Sequence, residues 1–245
     1  MLLENKRLCV FGDSHFICTR QAVKSGLVDA TGVDIEFWGN AGAQFRHLAW
    51  RNDRIEPLDD YTAGRFAKTN RHGRRTLTAA DFDMVLFMGC RIDLYRLFPE
   101  LLHRRRTGDQ RLSPGVERRW IHDFLHRLQP YHFARHSAAS ADSRVVLAPI
   151  SFDTAGFDET IPPRFSEARN ARPQERDAAW HVVQGIARTD GIELLRQPDE
   201  TVIDGCCTDP AYAVQKHRER NDRTHKNARY GARILTTALD MLRRA

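Results

Sequence analysis

Five short runs of strand pattern punctuate this chain, and segments of helical pattern stand between and after them. The runs are Leu8 to Phe11, Asp34 to Trp38, Asp83 to Met88, Arg144 to Ile150 and Gly191 to Leu195. The third, Asp-Met-Val-Leu-Phe-Met, is continuously apolar after its first residue, the pattern of a central strand buried on both faces. Helical pattern covers roughly His15 to Ser25, with Gly26 as C-cap, most of Leu94 to Ala139 with Gly115 to Leu128 its best amphipathic piece, and Gln174 to Thr189. A closing helix is predicted from near His225, with Tyr230, Ile234, Leu235, Leu239 and Leu242 on one face. Alternation of this kind predicts an α/β fold, a parallel sheet with helices on both faces.

Two regions fit the alternation poorly. From Gln44 to Ala80 the pattern breaks down into polar, Gly-containing and Arg-rich pieces, with a possible short helix over Phe45 to Trp50. A Pro- and Arg-rich loop leads to Pro173. With no internal repeat and no low-complexity linker, 245 residues are expected to form a single domain, 1–245, with irregular excursions around 44–80 and 98–142.

Composition narrows the setting. There is no apolar run of the ~18 residues that a spanning helix needs, and the mean hydropathy is −0.55, so no membrane partner is expected. The first residues show no export-leader pattern. Five irregularly spaced cysteines do not read as a disulfide framework, which suits a reducing compartment; a cytoplasmic location is the expectation.

The junction after the first run carries the chemistry. In Phe11-Gly12-Asp13-Ser14-His15 a strand gives way to a helix, so the Ser14 hydroxyl is expected at the carboxyl edge of the sheet, where the first helical amides favour negative charge. A serine is a poor nucleophile without a base, and a histidine base works best when a carboxylate orients it. Asp222-Arg223-Thr224-His225, just ahead of the closing helix, can supply both partners. Ser14 could otherwise be a plain N-cap, and Asp222 and His225 a cap and a surface histidine.

Gly12-Asp13-Ser14 after the first strand, together with Asp222-x-x-His225 before the last helix, resembles the SGNH/GDSL hydrolase family, and the order of elements is similar over nearly the whole chain. The resemblance implies a flavodoxin-like three-layer sandwich with a five-stranded parallel sheet. It further implies a serine esterase or acyltransferase site with Ser14 as nucleophile, His225 as base and Asp222 as its orienter. The Ser14 amide and Gly42, with Gly39 the alternative, are the implied oxyanion donors. The family's Gly-x-Asn after the third strand is replaced here by Gly89-Cys90-Arg91. Arg91 could donate to the oxyanion, hold an anionic substrate, or merely pair with Asp93. Asp13, Asn40 and Cys90, at the same strand ends, are expected to border the substrate.

Other constellations are weaker. His122 and His126 stand four apart, as in zinc helices, but Asp123 follows where Glu is wanted and no third ligand is evident. Cys206-Cys207 cannot form a Cys-x-x-Cys site, and no phosphate-loop or dinucleotide motif occurs, so no metal and no cofactor is expected. The net charge of +6 includes Arg71-His72-Gly73-Arg74-Arg75 and His103-Arg104-Arg105-Arg106. With little aromatic interleaving these do not favour nucleic acid; they suit a small-molecule or carbohydrate ester, anionic in character. The expected function is cleavage of an acetyl-ester-like substrate through an acyl-enzyme. The alternatives are an O-acyltransferase acting on a sugar or anionic acceptor with the same site, and a non-catalytic anion-binding protein.

Overall fold

The computed structural model describes residues 5–40, 42–108, 111–158 and 160–244. In chain order the strands are β1 (Lys6–Gly12), β2 (Val33–Gly39), β3 (Leu48–Arg51), β4 (Arg54–Pro57), β5 (Met84–Gly89), β6 (Arg144–Pro149), β7 (Glu193–Leu194), β8 (Val202–Ile203) and β9 (Cys207–Thr208). The helices are α1 (Ile17–Lys24), α2 (Asp60–Thr69), α3 (Phe98–Thr107), α4 (Pro114–His126), α5 (Gln129–Ser140), α6 (Pro173–Thr189) and α7 (Ala228–Arg243). The five predicted runs form one sheet in the order β2-β1-β5-β6-β7, parallel throughout. This is the flavodoxin-like order that the sequence resemblance implies.

Alternation along the strands divides the core into two layers. Leu8 and Val10 of β1, Met84, Leu86 and Met88 of β5, and Val146 of β6 pack with Ile234, Leu235, Leu239 and Leu242 of α7. Cys9, Phe11, Val85, Phe87, Val145 and Leu147 face the other way, into a larger layer with Phe66, Leu101, Ile121, Tyr131 and Val183 from α2 to α6. Each such side chain, fully buried, contributes about 1.5–3 kcal/mol of transfer free energy, so strand register is strongly specified.

The sheet order creates a switch point. From β1 the chain moves outward to β2, then crosses back to β5 on the other side of β1. The carboxyl ends of β1 and β5 therefore open onto a crevice between connections that leave in opposite directions, the usual ligand position in open α/β sheets.

The 44–80 region is more regular than its sequence suggests. The expected helix over Phe45 to Trp50 is instead a 3-10 turn, Gly42–His47, followed by the antiparallel pair β3–β4. Asn52 and Asp53 take left-handed conformations (φ 51° and 55°), the geometry of a two-residue hairpin turn. Helix α2 follows, capped by Asp59, whose side chain accepts from the Thr62 amide. The closing helix begins at Ala228 rather than near His225, because the Asn227 side chain caps it through the amides of Arg229 and Tyr230. Residues 98–140 are largely helical, as α3, α4 and α5.

Among the described residues no helix is long and apolar enough to cross a membrane.

Candidate active site

Residue 14 follows β1 directly. Asp13 caps the 3-10 turn Ser14–Phe16 that leads into α1, accepting from the His15 amide. This aims the Ser14 side chain into the crevice, and the Ser14 N–H, first in its turn, has no partner within that turn. The loop before α7 comes to the same place. Ser14 Oγ and His225 Nε2 are 2.8 Å apart, although 211 positions separate them in the chain. On the far side of the ring, Nδ1 lies 3.0 Å from both carboxylate oxygens of Asp222. With the ring proton on Nδ1 directed at Asp222, Nε2 is left to accept from the serine hydroxyl.

Asp222 also accepts from the backbone amides of His225 (3.1 Å) and Thr224 (3.3 Å). Burial opposes its charge, but these amides and the imidazole outweigh it and hold the carboxyl below its ordinary range. The orienting group is thus a carboxylate at neutral pH, fixed by its own loop.

Asp13, expected to border the substrate, is fully engaged elsewhere. It is 4% exposed. One oxygen meets His15 Nδ1 at 2.7 Å, and the other accepts from the Arg91 amide at 3.0 Å. Burial would raise its pKa, yet these bonds bring it below the carboxylate norm. Its role is to tie the end of β1 to the end of β5. Cys90 is likewise no crevice residue: it is fully buried, and its thiol donates to the Phe11 carbonyl at 3.2 Å. Burial, reinforced by the Asp13 charge, lifts this thiol well above the thiol norm, so it is an inert core group.

Arg91 does not pair with Asp93, which is bound by Arg96 at 2.9 Å. The Arg91 guanidinium reaches across to the Gly42 carbonyl at 2.8 Å and braces the turn after β2. Gly42 and Arg91 are therefore neighbours, joined through the carbonyl of Gly42. Asn40 lines a cavity of about 450 Å³ that also includes Ser14. It is 2% exposed, and among the described residues its Nδ2 makes only a long contact (3.4 Å) with the Thr62 carbonyl.

Two groups escaped the sequence reading. His15 stacks on His225 beneath the Ser14 turn. Gly89 makes room for it: a Cβ there would lie 2.6 Å from His15 Cβ, and the backbone is left-handed (φ 74°). Lys226 follows His225 and turns inward, 5% exposed, donating to the carbonyls of Arg223 and Thr224 at 3.0 Å each. Burial lowers its pKa to about 8 against the pull of Asp153 and Asp222. The aspartate-x-histidine spacing around Ser14 was a signal for the first group. A lysine in a basic loop offered none for the second.

The basic clusters are structural. Arg71 pairs with Asp34, Arg74 with Glu36 (2.8 Å) and Asp81 (2.7 Å), and Arg75 with Asp60 (2.6 Å). Arg104 pairs with Glu100, Arg105 with Glu117, and Arg106 with Glu175. Their charge is spent within the molecule and gives no reason to expect an anion there. No group of three or more potential metal ligands occurs among the described residues.

The structure thus defines a doubly wound, flavodoxin-like α/β protein with a serine, a histidine and an aspartate in line at its switch point. No protein-family model matches the chain, and no curated protein matches it. Among solved structures it is similar to a putative platelet activating factor from Streptococcus pneumonia, at 13% identity over 99% of this chain and 86% of that one, with a TM-score of 0.46. It is also similar to an extracellular lipase from Streptomyces rimosus, at 11% identity over 97% and 99%, TM-score 0.46. A catalytic mutant of an acetylxylan esterase from Geobacillus stearothermophilus aligns at 13% identity over 99% and 96%, TM-score 0.37. Likeness this distant assigns no role to any residue here.

Proposed function

We propose that the chain is a serine hydrolase of small ester substrates, of the SGNH/GDSL type, working through a Ser14–His225–Asp222 array. The observation that carries this is the 2.8 Å contact of Ser14 Oγ with His225 Nε2, backed by Asp222 at 3.0 Å on the other ring nitrogen. Ser14 Oγ attacks the ester carbonyl while His225 takes its proton. The tetrahedral oxyanion is held by the Ser14 amide and the Gly42 amide, with Arg91 bracing the Gly42 turn or donating a guanidinium N–H. Collapse expels the alcohol, protonated by His225, and leaves an acyl-enzyme. Water, deprotonated by His225, then releases the acid.

Hydrolysis is favoured over transfer to a second alcohol because the His225 side chain is 36% exposed, leaving the acyl-enzyme open to water. The test is reaction with a fluorophosphonate probe followed by mass mapping, together with turnover of a small acetyl ester. The label is expected on Ser14, and turnover is expected to vanish in Ser14→Ala. Labelling elsewhere, or turnover that survives Ser14→Ala, refutes the assignment.

A further inference from the structure

The cavity that contains Ser14 lies between α1 and α2, and its walls have a composition that the proposed reaction does not itself require. From α1 come Ile17 and Arg20, one turn apart; from α2 come Tyr61, Arg65 and Lys68, spaced along one helix face. Ile17 and Tyr61 are 42% and 63% exposed, unusually open for large apolar side chains. Arg20, Arg65 and Lys68 form no ion pair and no side-chain hydrogen bond among the described residues. The acid on the same rim, Asp60, already binds Arg75 at 2.6 Å.

This sets the cavity apart from the other basic regions, where the arginines meet carboxylates. Three positive side chains from two helices line one cavity, a charge that a bound anion offsets. The apolar side chains beside them offer contact area to a flat or aliphatic group. We infer that the cavity receives the anionic end of the ester: the substrate carries a carboxylate or a phosphate on an apolar portion, on the same molecule as the bond that Ser14 attacks. The inference rests on the hydrolase reading above and names its substrate class. The charge preference that the sequence suggested from the 71–75 and 103–106 clusters thus passes to a different set of side chains.

The experiment uses the full chain and phenyl acetates bearing a para methyl ester, carboxylate or phosphate group, each rate divided by its rate of spontaneous hydrolysis. Exposed ion pairs are each worth up to about fivefold in binding. The carboxylate and phosphate compounds are therefore expected to exceed the methyl ester by about tenfold or more in kcat/KM, mainly through KM. The advantage should shrink in ~0.5 M salt and be lost or inverted in Arg65→Glu/Lys68→Glu. Both positions are exposed, and an unchanged Tm will confirm that the variant folds. A larger gain with phosphate than with carboxylate identifies the dianion as the preferred group; the reverse identifies the carboxylate. Equal turnover of all three esters, or a preference that survives charge reversal, overturns this inference and leaves the hydrolase reading intact. Turnover of none of them overturns both.

Discussion

The imidazole rings of His15 and His225 lie face to face, their centroids 4.9 Å apart and their planes inclined by only 14°. His225 is thus held at three points: Asp222 on Nδ1, Ser14 on Nε2 and the His15 ring against one face. His15 is itself fixed by Asp13 at 2.7 Å. A ring free to swing away from the serine loses the alignment on which proton transfer depends. His15→Ala is therefore expected to lower kcat by about tenfold with little change in KM. His15→Phe, which keeps a flat ring, should recover most of that loss. Steady-state kinetics on a small acetyl ester, read beside thermal unfolding, decide it. Equal losses in the two variants would assign the effect to the broken Asp13 bond instead.

Ser14, His225 and Asp222 should behave as one unit. Ser14→Ala and His225→Ala are each expected to cut kcat by about 10⁴-fold or more, and Asp222→Asn by about 10³–10⁴-fold through loss of the oriented tautomer. The double variant Ser14→Ala/His225→Ala should be no worse than either single one. Losses that multiply would mean that the two side chains act independently, and the shared proton transfer would have to be given up.

How much of this was written in the sequence follows from where each signal lives. Strands buried on both faces, such as Met84–Gly89, announce themselves as unbroken apolar runs. Ser14 and the Asp222–His225 pair were legible because strand-to-helix turns and cap positions are local. The β3–β4 hairpin was hidden because its turn is Asn52-Asp53 rather than a glycine pair, and because Arg51 and Arg54 flank it. The arginine clusters misled because charge in a sequence says nothing of partners: Asp34 and Glu36 stand on β2, Glu117 on α4 and Glu175 on α6. Cys90 and Asp13 stood at the correct strand ends, but only packing reveals that both side chains turn away from the crevice.

Gly231 offers a test of what sets the distance between the serine and the histidine. Helix α1 starts just after Ser14, α7 just after His225, and the two pack closely at this glycine. A Cβ at 231 would lie 2.2 Å from the backbone carbon and oxygen of Cys18 and 2.6 Å from the Thr19 nitrogen. Helix propensity alone predicts that Gly231→Ala stabilises by about 0.5–1 kcal/mol. The steric term is larger, because it must separate two backbones: destabilisation of about 1–3 kcal/mol is expected. The same separation pulls His225 from Ser14, so kcat should fall as well, by about tenfold or more. Urea unfolding gives the first quantity and ester turnover the second. A stabilised, fully active variant would remove the helix pair from the account.

Lys226 links the geometry of the loop to pH. Its ammonium holds the carbonyls of Arg223 and Thr224, the residues between Asp222 and His225, and also meets Thr154 Oγ1 at 3.2 Å. Burial is the main cause that lowers its pKa to about 8, against the charges of Asp153 and Asp222 nearby. In the unfolded chain the same amine titrates near its ordinary 10.5. Between those values the unfolded state binds the extra proton and the native state does not, so this residue's contribution to stability rises as pH goes from about 8 to 10.5. The buried cysteines act in the opposite sense: Cys18, pushed up to about 12 by burial, loses stability to the unfolded thiolate as pH rises above 9.0. The sign is therefore visible only by difference. The unfolding free energy of the native chain minus that of Lys226→Met should increase across the window, by up to about 3 kcal/mol. At neutral pH the methionine variant frees the two carbonyls, and kcat should drop by about tenfold with KM nearly constant. A flat difference curve would show that Nζ is hydrated rather than enclosed, and an unaltered kcat would show that the Asp222 loop keeps its shape without it.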